Sequence, residues 1–370
     1  MDFNHTEDRR MLADTLSRFL RDTYPIEKRL EIAETDAGYS DEVWGQMAEL
    51  GILGALFGEE VGGFGGAAFD VAVVFEELGK ALVVEPVLAN LMAGTVLAEI
   101  GSDAQKAMIE EIVGGAKKLT LAHYEPTSRY EASEVSAHLS DGKIHGTKTA
   151  VLNGGTSDGI LVTVRTGGDL WDEDGISVYL VDPKGEGVSI REVPGIDGTR
   201  VAEVVLTGAT GELVGPEGGA FPALEKALAI GCVALCAEAV GAMTVARDMT
   251  LDYLKQRKQF GVIIGRFQVL QHRMADVFME MEQATSALIN AAGRFDQDRV
   301  VREKNVSAAK NTIGRVGKLV AEEAIQMHGG IAMTWEYAVG HYAKRITMID
   351  HQLGDADYHL ERYMELGSAA

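Results

Sequence analysis

Cysteine is scarce in this chain of 370 residues, which contains only Cys232 and Cys236. The two stand one helical turn apart in an apolar stretch. No further cysteine and no nearby histidine would complete the ligand shell of a structural zinc ion. A free cysteine in such a stretch behaves as a small buried hydrophobic residue. The sequence therefore predicts two buried free thiols and no metal site.

Long apolar runs are also missing from the sequence. No run reaches the roughly 18 apolar residues that a membrane-spanning helix needs. The first ten residues, MDFNHTEDRR, are charged rather than shaped like a signal peptide. We therefore expect a cytoplasmic protein that has no membrane partner.

Basic residues are outnumbered, since 34 Lys and Arg stand against 56 Asp and Glu and give a formal net charge of -22. A surface of this sign repels the phosphate backbone of nucleic acids and the headgroups of anionic lipids. Nucleic acid is thus not an expected partner. An anionic small molecule would need a local basic pocket or backbone donors, because the molecule as a whole does not attract it.

The periodicity of apolar residues divides the chain into three parts. It is helical from Glu7 to about Gly114, has a period of two from roughly Lys118 to Gly219, and is helical again after Pro222. Helix, then strand, then helix predicts one integrated α+β protein. We place an N-terminal α-helical domain at 1–117, a middle antiparallel β domain at 118–219, and a C-terminal helical bundle at 220–370.

Several local signals refine this outline. Long helices are predicted around Leu224–Arg257, Phe267–Asp296 and Lys304–His328. Asp141-Gly142 and Asp197-Gly198 are turn dipeptides typical of β-hairpins. The glycine cluster at 62–66 lacks the Lys-Ser/Thr ending of a phosphate loop and follows no clear strand, so an inter-helix turn is favoured.

Several segments, taken with their spacing, are similar to the acyl-CoA dehydrogenase family. They are Arg257–Gly261 (RKQFG), Phe267-Gln268, Gln271–Asp276 (QHRMAD), Gln326–Gly330 (QMHGG), Glu59–Gly65 (EEVGGFG) and Glu76–Gly79 (EELG). The first three resemble the family's helix-loop-helix signature, and the last two resemble its N-terminal helical domain. The resemblance covers essentially the whole chain. Each motif alone is weak, and the joint spacing carries the signal.

The resemblance implies an acyl-CoA thioester as substrate, an electron-transfer flavoprotein as electron acceptor, and FAD lying across a subunit interface. It also implies that one subunit holds the ADP half of its neighbour's FAD through the equivalents of Arg257, Phe260, Gln268, Gln326, Gly329 and Gly330. The chemistry fits, because arginine makes paired, charge-assisted hydrogen bonds to a pyrophosphate. Glycine lets a backbone approach the dinucleotide closely. Without the family, Arg257 would be a solvated charge and the glycines a helix C-cap.

The sequence departs from the family at the catalytic base. The chemistry implied by the resemblance needs a carboxylate to remove the α-proton, usually a Glu before a Gly, and here Leu353 precedes Gly354 at that place. Asp252 lies beside Leu251, the position of the base in some other members, but points about 100° away on a helix. Asp355 and Asp357 could reach inward, or could serve as N-caps of a last helix over Tyr358–Leu366.

The segments that resemble the flavin-ring contacts have changed too. Where the family shows Thr-Glu-Pro, this chain has Tyr124-Glu125-Pro126. Where the family shows Trp-Ile-Thr-Asn-Gly, this chain has Ala150 through Gly154, with sequence AVLNG. Leu152 lacks the hydroxyl that bonds flavin N5 in the family, and Ala150 lacks the aromatic plate that shields the ring.

This pattern leaves three hypotheses. The first is a base-lacking subunit that pairs with a paralogous dehydrogenase subunit, as in two-gene members acting on steroid side chains or pimeloyl-CoA. The second is a self-sufficient homotetramer, a dimer of dimers, whose base is displaced to Asp252, Asp355 or Glu125. The third is a helical acyl-CoA-binding or assembly protein that has no redox role. Residues that serve a neighbour's ADP persist while those that serve the chain's own flavin have changed, and this favours the first.

Overall fold

The computed structural model describes residues 6–368, and the first third of the chain is helical as predicted. The helices are α1 (Glu7–Thr23), α2 (Ile26–Glu34), α3 (Asp41–Glu49), α4 (Ala68–Ala81), α5 (Val87–Ile100) and α6 (Asp103–Val113). The glycine cluster at 62–66 lies between a short 3-10 turn, Glu59–Val61, and α4, which confirms the inter-helix turn. A Cβ added at Gly63 would lie 2.0 Å from the carbonyl oxygen of Phe57. Glycine is therefore required there by close packing of the backbone.

The middle of the chain forms one eight-stranded sheet. Its strands are β1 (Leu119–Ala122), β2 (His138–Ser140), β3 (Lys143–Leu152), β4 (Gly159–Arg165), β5 (Ile176–Val181), β6 (Val188–Pro194), β7 (Arg200–Ala209) and β8 (Gly211–Val214). The order is β6-β7-β3-β2-β4-β5-β8, with β1 paired to β4. The predicted antiparallel pattern holds for most neighbours, but β4 pairs parallel with both β1 and β2. The sheet is therefore mixed rather than purely antiparallel.

The last third of the chain is again helical. It contains α7 (Phe221–Gln256), a two-stranded hairpin of β9 (Lys258–Gln259) and β10 (Val262–Ile263), α8 (Gln268–Gly293), α9 (Arg299–His328), α10 (Val339–His351) and α11 (Ala356–Ser368). These bounds confirm the three long helices predicted from periodicity. The last helix begins two residues earlier than the predicted Tyr358. The architecture is thus the predicted α+β order of helices, sheet and helices.

The chain divides into two compact units that do not follow sequence order. The helical unit consists of residues up to Arg29, of Ala68–Val83 and of residues from Cys232 onward. The sheet unit consists of Leu30–Ala67 and Val84–Gly231. The core of the helical unit includes α4 and the later helices, whereas a cluster of strand residues such as Val162, Val164 and Val204 forms the sheet core.

Local sequence signals explain where elements begin and end. The Ser102 hydroxyl accepts from the backbone N–H of Gln105 while the Gln105 side chain accepts from Ser102 N–H, so a capping box starts α6. Asp141 and Gly142 both have positive φ, at 51° and 72°, and join the antiparallel pair β2 and β3. Asp197-Gly198 likewise lies in the turn between β6 and β7. Both predicted hairpin turns are confirmed.

Helix α7 needs separate comment because it is long and apolar enough, by length and composition, to cross a membrane. The expectation that no segment meets this test is corrected here. The reason is that the most apolar window of α7 tolerates isolated charges, so a count of uninterrupted apolar residues misses it. Within the structure 89% of that window is buried, which is the property of a core helix. Both cysteines lie on α7 and are buried free thiols, as predicted.

A buried ion pair lies inside the sheet unit. Lys148 of β3 donates to the Glu125 carboxylate at 2.7 Å, and both side chains are almost fully buried. The carboxylate also accepts from the backbone N–H groups of Ser136 and Ala137. Burial alone would raise the pKa of Glu125, but the Lys148 charge and these hydrogen bonds outweigh it and hold that pKa below its usual value. The segment after β1 is thereby tied to β3.

We predict that Glu125→Gln will strongly destabilise the protein, because it leaves the buried Lys148 ammonium without a counter-charge. Urea unfolding at pH 7 should show a loss of roughly 3–5 kcal/mol. The matched control is Glu203→Gln, which removes the exposed partner of Arg191 on β6 and β7. That change should cost about 1 kcal/mol or less. Equal losses for the two variants would contradict this assignment.

The pH dependence of unfolding gives a second readout of the same pair. The folded-state pKa of Glu125 is lowered, so the carboxylate's contribution is complete above the ordinary glutamate pKa of about 4.3. It is then lost as the pH falls through the lowered folded-state value. The pair stays ionised up to the pKa of Lys148, which burial lowers to about 8. Wild type should lose this increment of stability on acidification, and Glu125→Gln should not.

Candidate functional site

The first part of the candidate site is the corner between α7 and α8. The hairpin β9–β10 turns at Phe260 and Gly261, which both have positive φ, at 52° and 78°. Phe260 is a bulky residue in a conformation that favours glycine, and its side chain is 89% exposed. Its ring meets the Phe267 ring edge-on, with 6.2 Å between the ring centroids. Arg257 and Gln268 flank the hairpin and are also exposed.

The second part is the end of α9. Gln326 is exposed, and Gly329 has a φ of 70° as the helix ends. A Cβ added at Gly329 or Gly330 would meet nothing within 4 Å, so the space above these glycines is open. The glycines are therefore not required by packing within this chain at that point. An open backbone beside an exposed amide side chain leaves room for a ligand to approach closely.

Packing brings these helix ends together. Leu254 of α7, Met274 of α8 and Met327 of α9 form one buried apolar cluster. The His328 ring lies 4.6 Å from the Tyr253 ring, which joins α9 to α7 a second time. The structure thus places the six residues predicted to contact the dinucleotide on adjoining helix ends. We name Arg257, Phe260, Gln268, Gln326, Gly329 and Gly330 the dinucleotide patch.

The chemistry of the patch suits the ADP half of FAD. It offers a guanidinium group for a pyrophosphate, two amide side chains, and glycine backbone without obstruction. In a chain of net charge -22, such local donors are what an anionic ligand requires. The residues present therefore fit the group that the resemblance implies.

A third part of the site is the loop between α10 and α11, where the family carries its base. Leu353 has a φ of 56° and Gly354 a φ of 106°, so the turn is sharp. The ammonium group of Lys310, fully buried in α9, donates to the carbonyl oxygens of Ile349, Asp350 and Gly354 at 2.7 to 3.0 Å. These contacts satisfy the end of α10 and fix the loop.

His359 fixes the same loop from the other side. Its Nε2 lies 3.0 Å from the Leu353 carbonyl oxygen, and because a carbonyl can only accept, Nε2 carries the proton. Nδ1 then accepts from the Ser307 hydroxyl at 3.2 Å. Burial, reinforced by the Lys310 charge, lowers the pKa of His359 to about 3, so the ring is neutral. The backbone at the base position is held firmly although Leu353 has no ionisable group.

The candidate replacement aspartates are either engaged in a helix cap or exposed. The Asp355 carboxylate accepts from the backbone N–H of Tyr358 at 2.9 Å, which is an N-cap contact at the start of α11. Asp357 lies in the first turn of α11 and is exposed. Asp252 is exposed on α7, whereas Leu251 beside it packs against the cluster of Leu254, Met274 and Met327. The opposite orientations expected for Leu251 and Asp252 are therefore present.

The two segments that resemble the flavin-ring contacts lie side by side in the sheet unit. The backbone N–H of Thr149 donates to the Tyr124 carbonyl at 2.7 Å, and the Thr120 hydroxyl donates to the Leu152 carbonyl at 2.6 Å. Ala150 sits at a register shift in β3, has a φ of 52° and is exposed. Ala150 and Leu152 themselves provide neither the aromatic plate nor the hydroxyl that the resemblance implies at their positions.

Sequence reasoning missed the residues that hold these segments in place. Lys148 and Lys310 are fully buried, and each ties a loop to a helix or strand. Their signal was present in the sequence, because each lysine interrupts an otherwise apolar or small-residue stretch on the inward side of its element. A lysine at such a position needs a buried partner.

Comparisons with known proteins identify the family of this chain. The acyl-CoA dehydrogenase N-terminal domain model matches residues 6–115, and the C-terminal domain model matches residues 218–365. Acyl-CoA dehydrogenase IpdE2 of Mycolicibacterium smegmatis is 30% identical over 92% of each chain. Helices before and after a mixed sheet, together with these matches, define a flavin-dependent dehydrogenase fold. The chain belongs to the acyl-CoA dehydrogenase family.

Two solved structures extend the comparison. The ChsE4-ChsE5 complex from Mycobacterium tuberculosis is similar over the full length of both chains, with a TM-score of 0.89 and 25% identity. The FAD complex of PigA is similar over the full length of both chains, with a TM-score of 0.90 and 25% identity. FAD is therefore the cofactor of this protein class, and the fold is that of FAD-dependent oxidoreductases.

We predict that Lys310→Met will destabilise the loop between α10 and α11. The change leaves three carbonyl oxygens without their buried donor, at a cost of about 3 kcal/mol or more in the free energy of unfolding. Urea unfolding and hydrogen exchange at residues 352–355 measure the effect. Lys318→Met, an exposed change on the same helix, is the control and should stay within about 0.5 kcal/mol of wild type. Unchanged exchange in Lys310→Met would show that the lysine does not hold the loop.

Proposed function

We propose that this chain is the base-lacking subunit of a two-gene, FAD-dependent acyl-CoA dehydrogenase. The observation that carries the proposal is Leu353 at the base position, in a loop whose backbone is fully fixed by Lys310 and His359. A leucine there cannot remove a proton. The dinucleotide patch, by contrast, keeps the donor set and the open glycines that a neighbour's ADP would need.

The Leu353 loop and the dinucleotide patch suggest different roles for the two subunits. Bound FAD supplies the hydride acceptor for α,β-dehydrogenation of an acyl-CoA thioester. This chain binds the ADP half of FAD through Arg257, Gln268 and Gln326. Gly329 and Gly330 allow the ADP to approach the backbone closely. The exposed Phe260 ring is covered when the partner binds. Proton removal takes place in the partner subunit, which carries the carboxylate.

The substrate class and the electron acceptor are part of the proposal. The similarity to ChsE4-ChsE5, a complex of two proteins, supports a paired assembly. A steroid dehydrogenase pair, Tcur3481-Tcur3483, is also among the similar structures and supports a steroid side-chain thioester as substrate. An electron-transfer flavoprotein is the acceptor that the family resemblance implies.

The second candidate is a homotetramer that uses a displaced carboxylate. The structure disfavours Glu125, because its two oxygens already accept from Lys148, Ser136 and Ala137 and its pKa is lowered. Asp355 caps a helix, and Asp252 faces away from the direction of Leu251. The third candidate is an acyl-CoA-binding protein without redox function, and flavin absorbance that stays with the chain through gel filtration would argue against it.

The experiment that tests the proposal is purification of the chain alone and after co-expression with a paralogous dehydrogenase subunit. We expect little flavin and no acyl-CoA turnover from the chain alone. The co-purified assembly should turn over a thioester and carry one flavin for every two chains. Robust turnover by the chain as a homo-oligomer would overturn the proposal.

We predict that Arg257→Ala will lower the affinity of the co-purified assembly for FAD about tenfold or more, since a charged hydrogen bond contributes about 1.5–3 kcal/mol. The control is Lys255→Ala, which removes an exposed charge from the last turn of α7 just before the patch. Flavin release on dilution, followed by fluorescence, measures the affinity. Equal release from both variants would remove Arg257 from the site.

We predict that Asp252→Asn and Asp355→Asn will each leave turnover of the co-purified assembly within severalfold of wild type. Loss of a true general base lowers turnover by roughly 10²–10⁴. Steady-state kinetics with a saturating thioester give the comparison. A drop of that size in either variant would favour the displaced-base enzyme over the paired one.

A further inference from the structure

An aromatic cluster stands on the segment that follows β1, at the place where the family resemblance puts the flavin ring. The Tyr124 ring lies 5.0 Å from the His123 ring and meets the Tyr130 ring edge-on at 6.5 Å. The Arg129 guanidinium lies 5.7 Å from the Tyr130 ring centroid. We name Tyr124, Arg129 and Tyr130 the aromatic plug. The family carries threonine where this chain has Tyr124, so the cluster adds bulk at a flavin-facing position.

The backbone under the plug is rigid. Glu125, the next residue, is held by Lys148, and its N–H donates to the Ser128 hydroxyl at 3.0 Å. Glu131 N–H donates to the Ser128 carbonyl at 2.9 Å, which closes the turn. The buried ion pair and these hydrogen bonds fix the backbone from which the Tyr124 and Tyr130 side chains extend.

Arg129 supports a specific role for this turn. Its φ is 45°, a left-handed conformation that favours glycine and costs other residues roughly 1–2 kcal/mol. The turn keeps a backbone that suits glycine while it carries a long charged side chain stacked on Tyr130. Strain of this kind persists where the surrounding structure fixes it, and it indicates a functional constraint.

Aromatic side chains stand on the segment after β1 in this chain, whereas the family carries its aromatic residue at the position of Ala150 in β3. Ala150, on the neighbouring segment, lacks the plate that shields the ring in the family, and Leu152 lacks the bonding hydroxyl. Tyr124 is tied to β3 through its carbonyl and Thr149 N–H, so its ring stands on the turn adjoining that strand.

From this geometry we infer that the aromatic plug fills the chain's own flavin-ring position and keeps FAD out of it. The inference rests on the proposed function, because it explains why a paired assembly would carry FAD in one kind of subunit. On this inference, the ring site of this chain stays empty because Tyr124 and Tyr130 block it sterically. Missing contacts at Ala150 and Leu152 are then a secondary cause.

The test compares flavin content in wild type and four variants of the co-purified assembly, one of which combines all four substitutions at Tyr124, Tyr130, Ala150 and Leu152. Flavin is measured by absorbance after gel filtration with excess FAD. Removing the plug with Tyr124→Thr/Tyr130→Ser should raise the content from one flavin for every two chains toward one for every chain. Restoring contacts with Ala150→Trp/Leu152→Thr, while the plug stays, should leave it at one for every two. Trp171→Ser removes another exposed aromatic of the sheet unit and should change nothing.

The outcomes separate the two ideas. A wild-type assembly that already carries one flavin per chain contradicts the proposed function. Suppose that the wild-type assembly carries one flavin for every two chains. If flavin content then does not rise in the plug-free double variant or in the combined four-residue variant, the inference about the plug is contradicted and the proposed function is not. A rise on restoring Ala150 and Leu152 contacts with the plug in place also contradicts the inference about the plug. Circular dichroism confirms that each variant is folded before flavin is counted.

Discussion

The need to satisfy buried lysine ammonium groups shapes two loops, one in each compact unit. Lys148 is satisfied by the Glu125 carboxylate, and this fixes the segment after β1. Lys310 is satisfied by three carbonyl oxygens, and this fixes the loop that contains Leu353. A buried charge without partners costs far more than either loop could recover by moving. The backbone of each loop is therefore fixed by a buried contact that does not involve the side chain of Leu353 or Tyr124.

The backbone and the side chain of residue 353 are under different structural constraints. Lys310 and His359 fix residue 353 through carbonyl oxygens of the loop and not through its side chain, so leucine is tolerated there. Packing within the chain, by contrast, does not account for the patch, since Arg257 and Gln326 are exposed and the space above Gly329 and Gly330 is open. Retention of the patch and loss of the base is what a subunit that serves its neighbour's cofactor would show.

Sequence reasoning recovered the fold well, because long helices such as α7 and α9 carry a strong period and the β-hairpins carry Asp-Gly turns. It also selected the six residues of the dinucleotide patch, which the structure brings together on adjoining helix ends and whose role stays a prediction. It missed the parallel pairing of β4 with β1 and β2, since strand direction depends on long-range topology that local alternation does not encode. It missed the partners of Lys148 and Lys310 for the same reason.

The most direct measurement is a cryo-electron microscopy map of this chain co-purified with a paralogous dehydrogenase subunit and FAD. The account predicts dinucleotide density whose ADP half contacts Arg257, Gln326 and Gly329 of this chain and whose ring lies in the partner subunit. Density with the ring against Tyr124 and Leu152 of this chain, in an assembly of identical subunits, would contradict it.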